Sequence, residues 1–416
     1  MPSRTPRLLA VATVASCLAV PPASAQGTVL PPPPSVIDST DPAALLVSQL
    51  ELGRYKATIK GLAQFGDRRQ GTKRNRDAVD WIEAQLKSYG CTNTERITYD
   101  YTPAEAAARE NRPPAAPTAG QRPTVPVAAG GGRARGIRTR TGVNNDSLRQ
   151  PDARLRALNA EPSTPGQRQE VYCTKVGTTR PDEMYIIGGH MDGIGWGEAV
   201  NDDASGSAIV MEMARILSDP SVSTERSVRF VLWNNEESGL NGARAYVEQR
   251  AKLQGIEEPK GSGKYPEPKW LGMIQHDMMM WDHGMPLPDG TMRKEQRPEA
   301  DVNIEFQSNS KMAKASAELA WLLYQANEKY AADYPAQVGP HMTNTDSGPF
   351  QDLIPAVSLR ENERGIQTGS GWNPHWHQPT DVMATFSDAD FRLGLNAAQT
   401  TLGAVAKLVG AKVVKK

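Results

Sequence analysis

All six histidines of this 416-residue chain lie beyond residue 189, and acidic residues gather beside them in five clusters. The first is Gly188-Gly189-His190-Met191-Asp192. A neutral imidazole is a good donor to a borderline metal ion, and Asp192 is placed to accept the other ring N–H and fix the tautomer. Next, Asn201-Asp202-Asp203-Ala204-Ser205-Gly206 sets two carboxylates before small residues. Aspartate at a helix start is ordinary capping, but a pair twelve residues after His190 also offers a bridge between two cations. The third cluster holds Glu236-Glu237. Adjacent like charges repel unless something positive lies between or beside them, so one could hold a metal while its neighbour activates water. Gln275-His276-Asp277-Met278 adds another acid, and Asn373-Pro374-His375-Trp376-His377-Gln378-Pro379-Thr380-Asp381 adds imidazoles. Two imidazoles and three carboxylates with a spare glutamate exceed what one ion needs. They suit two ions about 3.5–4 Å apart, as in two-metal hydrolytic sites. With no thiolate among them, the donors fit Zn²⁺, Mn²⁺ or Co²⁺.

These clusters follow apolar runs. Strands are expected at 97–101, 170–175, 184–188, 227–233, 271–275 and 356–359. Helices are expected after Asp41-Pro42 and at 75–89, 205–217, 239–253, 311–329 and 388–408. Alternation of this kind predicts an α/β domain, a three-layer αβα sandwich with a mixed, mostly parallel sheet. In such sheets ligands bind beyond the carboxyl ends of strands, where the clusters fall. Residues 102–167 interrupt the pattern. They are rich in Pro, Ala, Gly and Arg and lack Phe, Trp, Tyr and Cys, and so read as a flexible insertion.

Lys and Arg together number 47, as do Asp and Glu. That balance argues against a nucleic-acid binder. No apolar run is long enough to span a membrane. Arg4 and Arg7, the apolar stretch 8–20 and Ala23-Ser24-Ala25 predict a secretory signal peptide over 1–25, followed by a proline-rich leader over 26–41. Val14-Ala15-Ser16-Cys17 also fits a loose lipobox, so lipidation of Cys17 is the competing reading of the same segment. Either implies an exported, periplasmic or secreted protein. In an oxidising compartment Cys91 and Cys173, both beside predicted strands, are expected to form a disulfide.

Taken in order, the clusters resemble the co-catalytic di-zinc exopeptidases typified by secreted bacterial leucyl aminopeptidases, to which plasma glutamate carboxypeptidases are related. The resemblance covers Phe65-Gly66-Asp67-Arg68-Arg69-Gln70-Gly71-Thr72 and roughly 168–410, and 42–416 would be one exopeptidase domain around the insertion. It implies His190 on one zinc, Asp202 bridging both, Glu237 on one ion and Asp277 on the other, with His377 completing the set. His377 rather than His375 follows because the family's last ligand precedes an x-Pro-x-Asp stretch, here Gln378-Pro379-Thr380-Asp381. Glu236 would be the general base and Asp192 a support behind His190. Asn344-Thr345-Asp346-Ser347-Gly348-Pro349-Phe350 resembles the family's Ser-Asp-His-x-Pro-Phe, with Ser347 where His is common.

The implied activity is hydrolysis of a terminal peptide bond, with an aminopeptidase favouring apolar N-terminal residues as the leading expectation. Carboxypeptidase or dipeptidase action and glutaminyl cyclase chemistry are the alternatives on the same scaffold. Trp196, Trp372 and Trp376, in predicted loops beside the ligands, are the candidate substrate contacts. Arg360, just past a strand, is the candidate anchor for a substrate carboxylate. Met278 to Trp281 fit either a pocket wall or core.

Overall fold

A computed structural model describes residues 38–102, 146–284, 287–289, 291–331, 333–340, 344–361 and 373–413. The expected signal peptide with Cys17, most of the leader, residues 103–145 and Trp372 lie outside them.

The elements run α1 (Pro42–Val47), α2 (Leu52–Ala63), α3 (Lys73–Ser88), β1 (Thr94–Tyr101), α4 (Ala153–Asn159), β2 (Gly166–Lys175), β3 (Arg180–His190), α5 (Ser205–Leu217), β4 (Val222–Ser223), β5 (Arg226–Trp233), α6 (Asn241–Arg250), β6 (Lys269–His276), β7 (Val302–Glu305), α7 (Ala313–Tyr330), β8 (Ala336–Gly339), β9 (Ala356–Arg360), α8 (Asp388–Leu408) and β10 (Lys412–Val413). Among the described residues one sheet has the order β1-β2-β5-β3-β6-β9-β7-β8, and β4 pairs separately with β10. β5, β3, β6 and β9 are mutually parallel. β1 and β2 on one side, and β7 against β9 on the other, add antiparallel pairs.

Successive strand residues point to opposite faces, and here each face is covered. Val228, Phe230 and Leu232 of β5, Val171 and Cys173 of β2 and Ile274 of β6 join one core with residues of α2, α3, α5 and α8. The intervening Val231, Trp233, Tyr172 and Met273 join a second with Ala243 and Tyr246 of α6 and with Phe350. The sheet is therefore the middle layer of an αβα sandwich, as its near-continuous apolar strands predict. α5 is buried at every position except Arg215. It can lie so close because Gly189 of β3 faces it: a Cβ there would meet the Gly206 carbonyl carbon at 2.7 Å.

Three expectations need correction. The helix expected after Pro42 is two helices, broken at 48–51. β7 and β8 were not expected; four residues each, they lack the long apolar runs of the central strands. The part of the expected insertion from 146 onward is packed structure. Asp152 caps α4 through the N–H groups of Arg154 and Leu155. Leu155 and Asn159 are buried, and Glu161, Ser163 and Thr164 bond to residues 70–74. The mean composition of 102–167 hid this short helix. No helix among the described residues is long and apolar enough to cross a membrane.

Cys91, just after α3, is bonded to Cys173 in β2, with Cα atoms 6.1 Å apart across 82 residues. Closing a loop of that size restricts the unfolded chain. Replacing both cysteines with serine should lower stability by about 2–5 kcal/mol, measured as a fall in urea midpoint, and native protein should present neither thiol to an alkylating agent.

Asp41 caps α1 and also ties it to α7. One oxygen accepts from Ala43 N at 2.9 Å, the other from Lys329 Nζ at 2.5 Å and Tyr330 OH at 2.7 Å. Burial opposes ionisation, but these donors hold the carboxyl down at about 2. A depressed folded value means that the stabilisation is complete above the ordinary value of 3.8 and is lost as pH falls through 2. Asp41→Ala should cost about 1 kcal/mol at neutral pH. The gap from wild type should narrow between pH 4 and pH 2 in denaturant titrations.

Candidate metal centre

The acidic clusters converge because they follow parallel strands whose ends lie side by side. His190 ends β3 and Asp277 follows β6. Glu236 and Glu237 come three and four residues after β5, and Arg360 ends β9. The intervening loops are held by buried polar groups. Arg68, fully buried, donates to the main-chain oxygens of Met191 at 2.6 Å, Glu198 at 2.7 Å and Ala199 at 2.8 Å. Its neighbour Asp67 is paired with Arg69 and Arg74 and accepts from Trp196 N at 3.2 Å. Asp381 accepts from the N–H groups of Val200, Asn201 and Asp202 at 3.0, 2.8 and 3.1 Å. Glu361 takes Asn201 Nδ2 at 2.6 Å, Trp281 N at 2.7 Å and Asn373 Nδ2 at 2.9 Å, joining three of these loops. Gly195, at φ +103°, lies against the His377 backbone, where a Cβ would meet the carbonyl carbon at 2.6 Å.

Within this frame Asp202 faces two imidazoles with its two oxygens. Oδ1 is 3.2 Å from His190 Nε2, and Oδ2 is 3.1 Å from His377 Nε2. Asp277 Oδ1 lies 3.7 Å from His190 Nε2, and Glu237 Oε2 lies 2.9 Å from His377 Nε2. Two donors on one tetrahedral zinc, each with a bond of ~2.0–2.1 Å, stand roughly 3.3 Å apart, close to this spacing. Glu237 Oε1 is buried with no hydrogen-bond partner, as an oxygen meant for a cation would be. The donors are imidazole and carboxylate throughout. On spacing, chemistry and the orphaned oxygen, the residues present fit two zinc-like ions sharing Asp202.

Charge in the cluster follows from proximity. Burial opposes protonation of His377, but Glu237 and Asp202 overcome it and push the imidazole up to about 10. His190 is likewise raised, against burial, by Asp203, Glu236, Asp202 and Asp277. Burial pushes the Glu236 carboxyl well up, opposed by His190 and reinforced by Asp346, Glu237 and Asp277. One Glu236 oxygen lies within 4.8 Å of donor atoms of both His190 and Asp277. Glu237, not Glu236, has its oxygen in hydrogen-bond range of His377, and that separates the two glutamates.

Two expected residues turn out differently. His190 Nδ1 meets the main-chain oxygen of Asp192 at 2.9 Å, while the Asp192 carboxylate stands 4.0 Å from it and accepts from Glu236 N at 3.0 Å. Asp192 therefore holds the imidazole by its carbonyl and the Glu236 loop by its side chain, because the chain turns after His190. Arg360 is 2% exposed and its Nη2 lies 2.6 Å from Asp277 Oδ2. Its burial and its bond to Asp277 set this guanidinium behind the acid rather than at an open surface, with Nε and Nη1 buried and making no hydrogen bond.

His375 stays apart from the cluster, with Nδ1 2.8 Å from Thr380 Oγ1 and its ring edge-on to Trp281. Trp376 lies tilted against His377, ring centroids 4.4 Å apart. Trp196 is buried, its main-chain oxygen taken by Gln150 and Asn159 from the α4 region. Met279, Met280 and Trp281 are core residues, and His276 is buried against Gly188 and Thr401. Asp203, singled out only as half of an acidic pair, accepts from the N–H groups of His190, Gly206 and Met278 at 3.0, 2.9 and 3.1 Å. The anchoring roles of Arg68, Asp381 and Glu361 were not foreseen; the one signal was that Arg68 and Asp381 fall inside family-like motifs.

A family model for peptidase family M28 matches residues 170–399. The probable lipoprotein aminopeptidase LpqL of Mycobacterium tuberculosis is 27% identical over 239 residues, covering 56% of this chain and 43% of that protein. Carboxypeptidase Q of Xenopus laevis is 35% identical over 77 residues, 18% of this chain and 16% of that one. The matched stretches thus span less than half the length of these relatives. Among solved structures, BSAP, a zinc aminopeptidase from Bacillus subtilis, superposes with a TM-score of 0.56 at 14% identity, covering 86% of this chain and 96% of that one. Porphyromonas gingivalis glutaminyl cyclase gives 0.54 at 14% identity, covering 86% and 99%. At such identities the structural likeness is one of fold.

Proposed function

This chain belongs to peptidase family M28, and from that premise we propose that it is an exported zinc aminopeptidase holding two ions and favouring apolar N-terminal residues. The observation that carries the reading is Asp202, whose two oxygens face His190 and His377 at 3.2 and 3.1 Å. In this reading His190, Asp202 and Asp277 hold one zinc, and Asp202, Glu237 and His377 hold the other. Such ions, when bound, supply polarisation of the scissile carbonyl and acidify an attacking water. Manganese or cobalt suits the same donors.

The rest of the work falls to side chains. Glu236 accepts the proton of the attacking water on a carboxylate oxygen and returns it to the leaving amine. Asp192 steadies Glu236 through its backbone N–H and His190 through Nδ1. The surplus of carboxylates around the centre favours a peptide that presents a free α-amine there. Trp376, packed on His377, and Trp196 are the proposed apolar contacts for the first side chain, with Trp372, outside the described residues, a third candidate from the sequence. The Cys91–Cys173 disulfide supports export, with cleavage of residues 1–25 or lipidation at Cys17 as the two routes.

A panel of peptides tests the activity. Leu-, Met- and Phe-initiated peptides with a free amine should be cleaved faster than Asp- or Lys-initiated ones. Preferences among the apolar residues should be graded, since one methylene is worth only about 1–3 kcal/mol. Acetylating the amine should abolish cleavage. Cleavage of acetylated but not C-terminally amidated peptides would mean a carboxypeptidase, and cyclisation of N-terminal glutamine with release of ammonia a glutaminyl cyclase.

A further inference from the structure

The two halves of the centre are not equivalent, and the difference lies in what stands behind each carboxylate. Glu237 has Oε2 2.9 Å from His377 Nε2, and its buried Oε1 makes no hydrogen bond. Among the described residues no Arg or Lys holds either oxygen back from a cation. Asp277 turns only Oδ1 toward His190, because Oδ2 is taken by Arg360 Nη2 at 2.6 Å. This is a charge-assisted bond between side chains 3% and 4% exposed, so water screens it little. The guanidinium has a second acid close by, Glu305, whose carboxylate is 3.9 Å from Nε. Arg360 thus spans β9 and β7 at the strand ends and holds the acid that follows β6.

We propose that Arg360 is a positioning residue for Asp277: it holds that carboxylate with one oxygen toward the centre, and the cation position at Asp277, offered one oxygen where Glu237 offers two, is the weaker of the two and depends on Arg360. The inference rests on the two-ion reading. A carboxylate that turns one oxygen to a cation holds it less firmly than one that turns two. Without Arg360, Asp277 would be free to rotate away from His190, and its position would weaken further. Partners behind metal ligands typically contribute 10–100-fold in affinity.

Zinc affinities measured by competition with a chromophoric chelator test this, with no reliance on turnover. Wild type should fill in two distinguishable steps. Asp277→Asn should remove the weaker step and leave the tighter one within about threefold. Arg360→Gln should weaken the same step 10–100-fold and spare the other, and Arg360→Lys, which keeps a buried positive donor, should recover most of the loss. In the double variant Arg360→Gln/Asp277→Asn the second change should add almost nothing, because both act on one interaction. Equal weakening of both steps by Arg360→Gln, or additive effects in the double variant, would overturn the proposal. Should Arg360→Gln fail to fold, Asp277→Asn still decides: loss of the tighter step would refute it. A wild type that fills in a single one-ion step would instead refute the two-ion reading beneath it.

Discussion

Glu236→Gln should lower kcat for a free-amine peptide by roughly 10²–10⁴, the usual value of a positioned general base, while zinc content and KM stay near wild type. That loss corresponds to roughly 3–5 kcal/mol of barrier. Glutamine keeps the shape and backbone contacts of the loop, including the Glu236 N–H bond to Asp192, but cannot accept the proton. The split matters because two adjacent glutamates compete for the role. Glu237 has its oxygen 2.9 Å from His377, so Glu237→Gln should lose metal along with activity. Steady-state kinetics beside elemental analysis separate the two. Activity within a few-fold of wild type for Glu236→Gln would remove Glu236 from the role.

The second large effect concerns the paired histidines near the C-terminal end. His377→Ala should lose about one ion per chain and nearly all activity, because Nε2 faces both Asp202 and Glu237. His375→Ala should retain both ions, since its ring is spent on Thr380 and Trp281. Its burial, with His283 nearby, pushes it down to about 4, so it remains uncharged at neutral pH. Zinc counts on the two purified variants settle which imidazole belongs to the centre; loss of an ion in the His375 variant alone would reverse the assignment.

What the sequence revealed and what it hid have physical reasons. The central strands were legible because each is a run of apolar residues covered on both faces, and the acids and histidines at their ends stand out against that background. His190, Glu237 and Asp277 could be singled out because each ends or closely follows such a run, Asp202 and His377 through the motifs around them, and the fold brings the five together. The groups that hold them are of another kind. Arg68 binds main-chain oxygens more than 120 residues away, and backbone acceptors leave no trace in side-chain identity. Arg360 reads as a free cation until its partner Asp277, 83 residues earlier, is brought beside it. Asp192 supports His190 with its carbonyl rather than its carboxylate, a choice set by the local turn. α4 escaped notice because seven helical residues were averaged with the proline- and glycine-rich stretch before them.

A centre built for two metal ions is tested most simply by the number of zinc ions per chain in wild-type protein equilibrated with excess zinc, freed of unbound metal by gel filtration and measured by elemental analysis against protein concentration. Two are expected. One or fewer would mean that Asp202 does not join two ions.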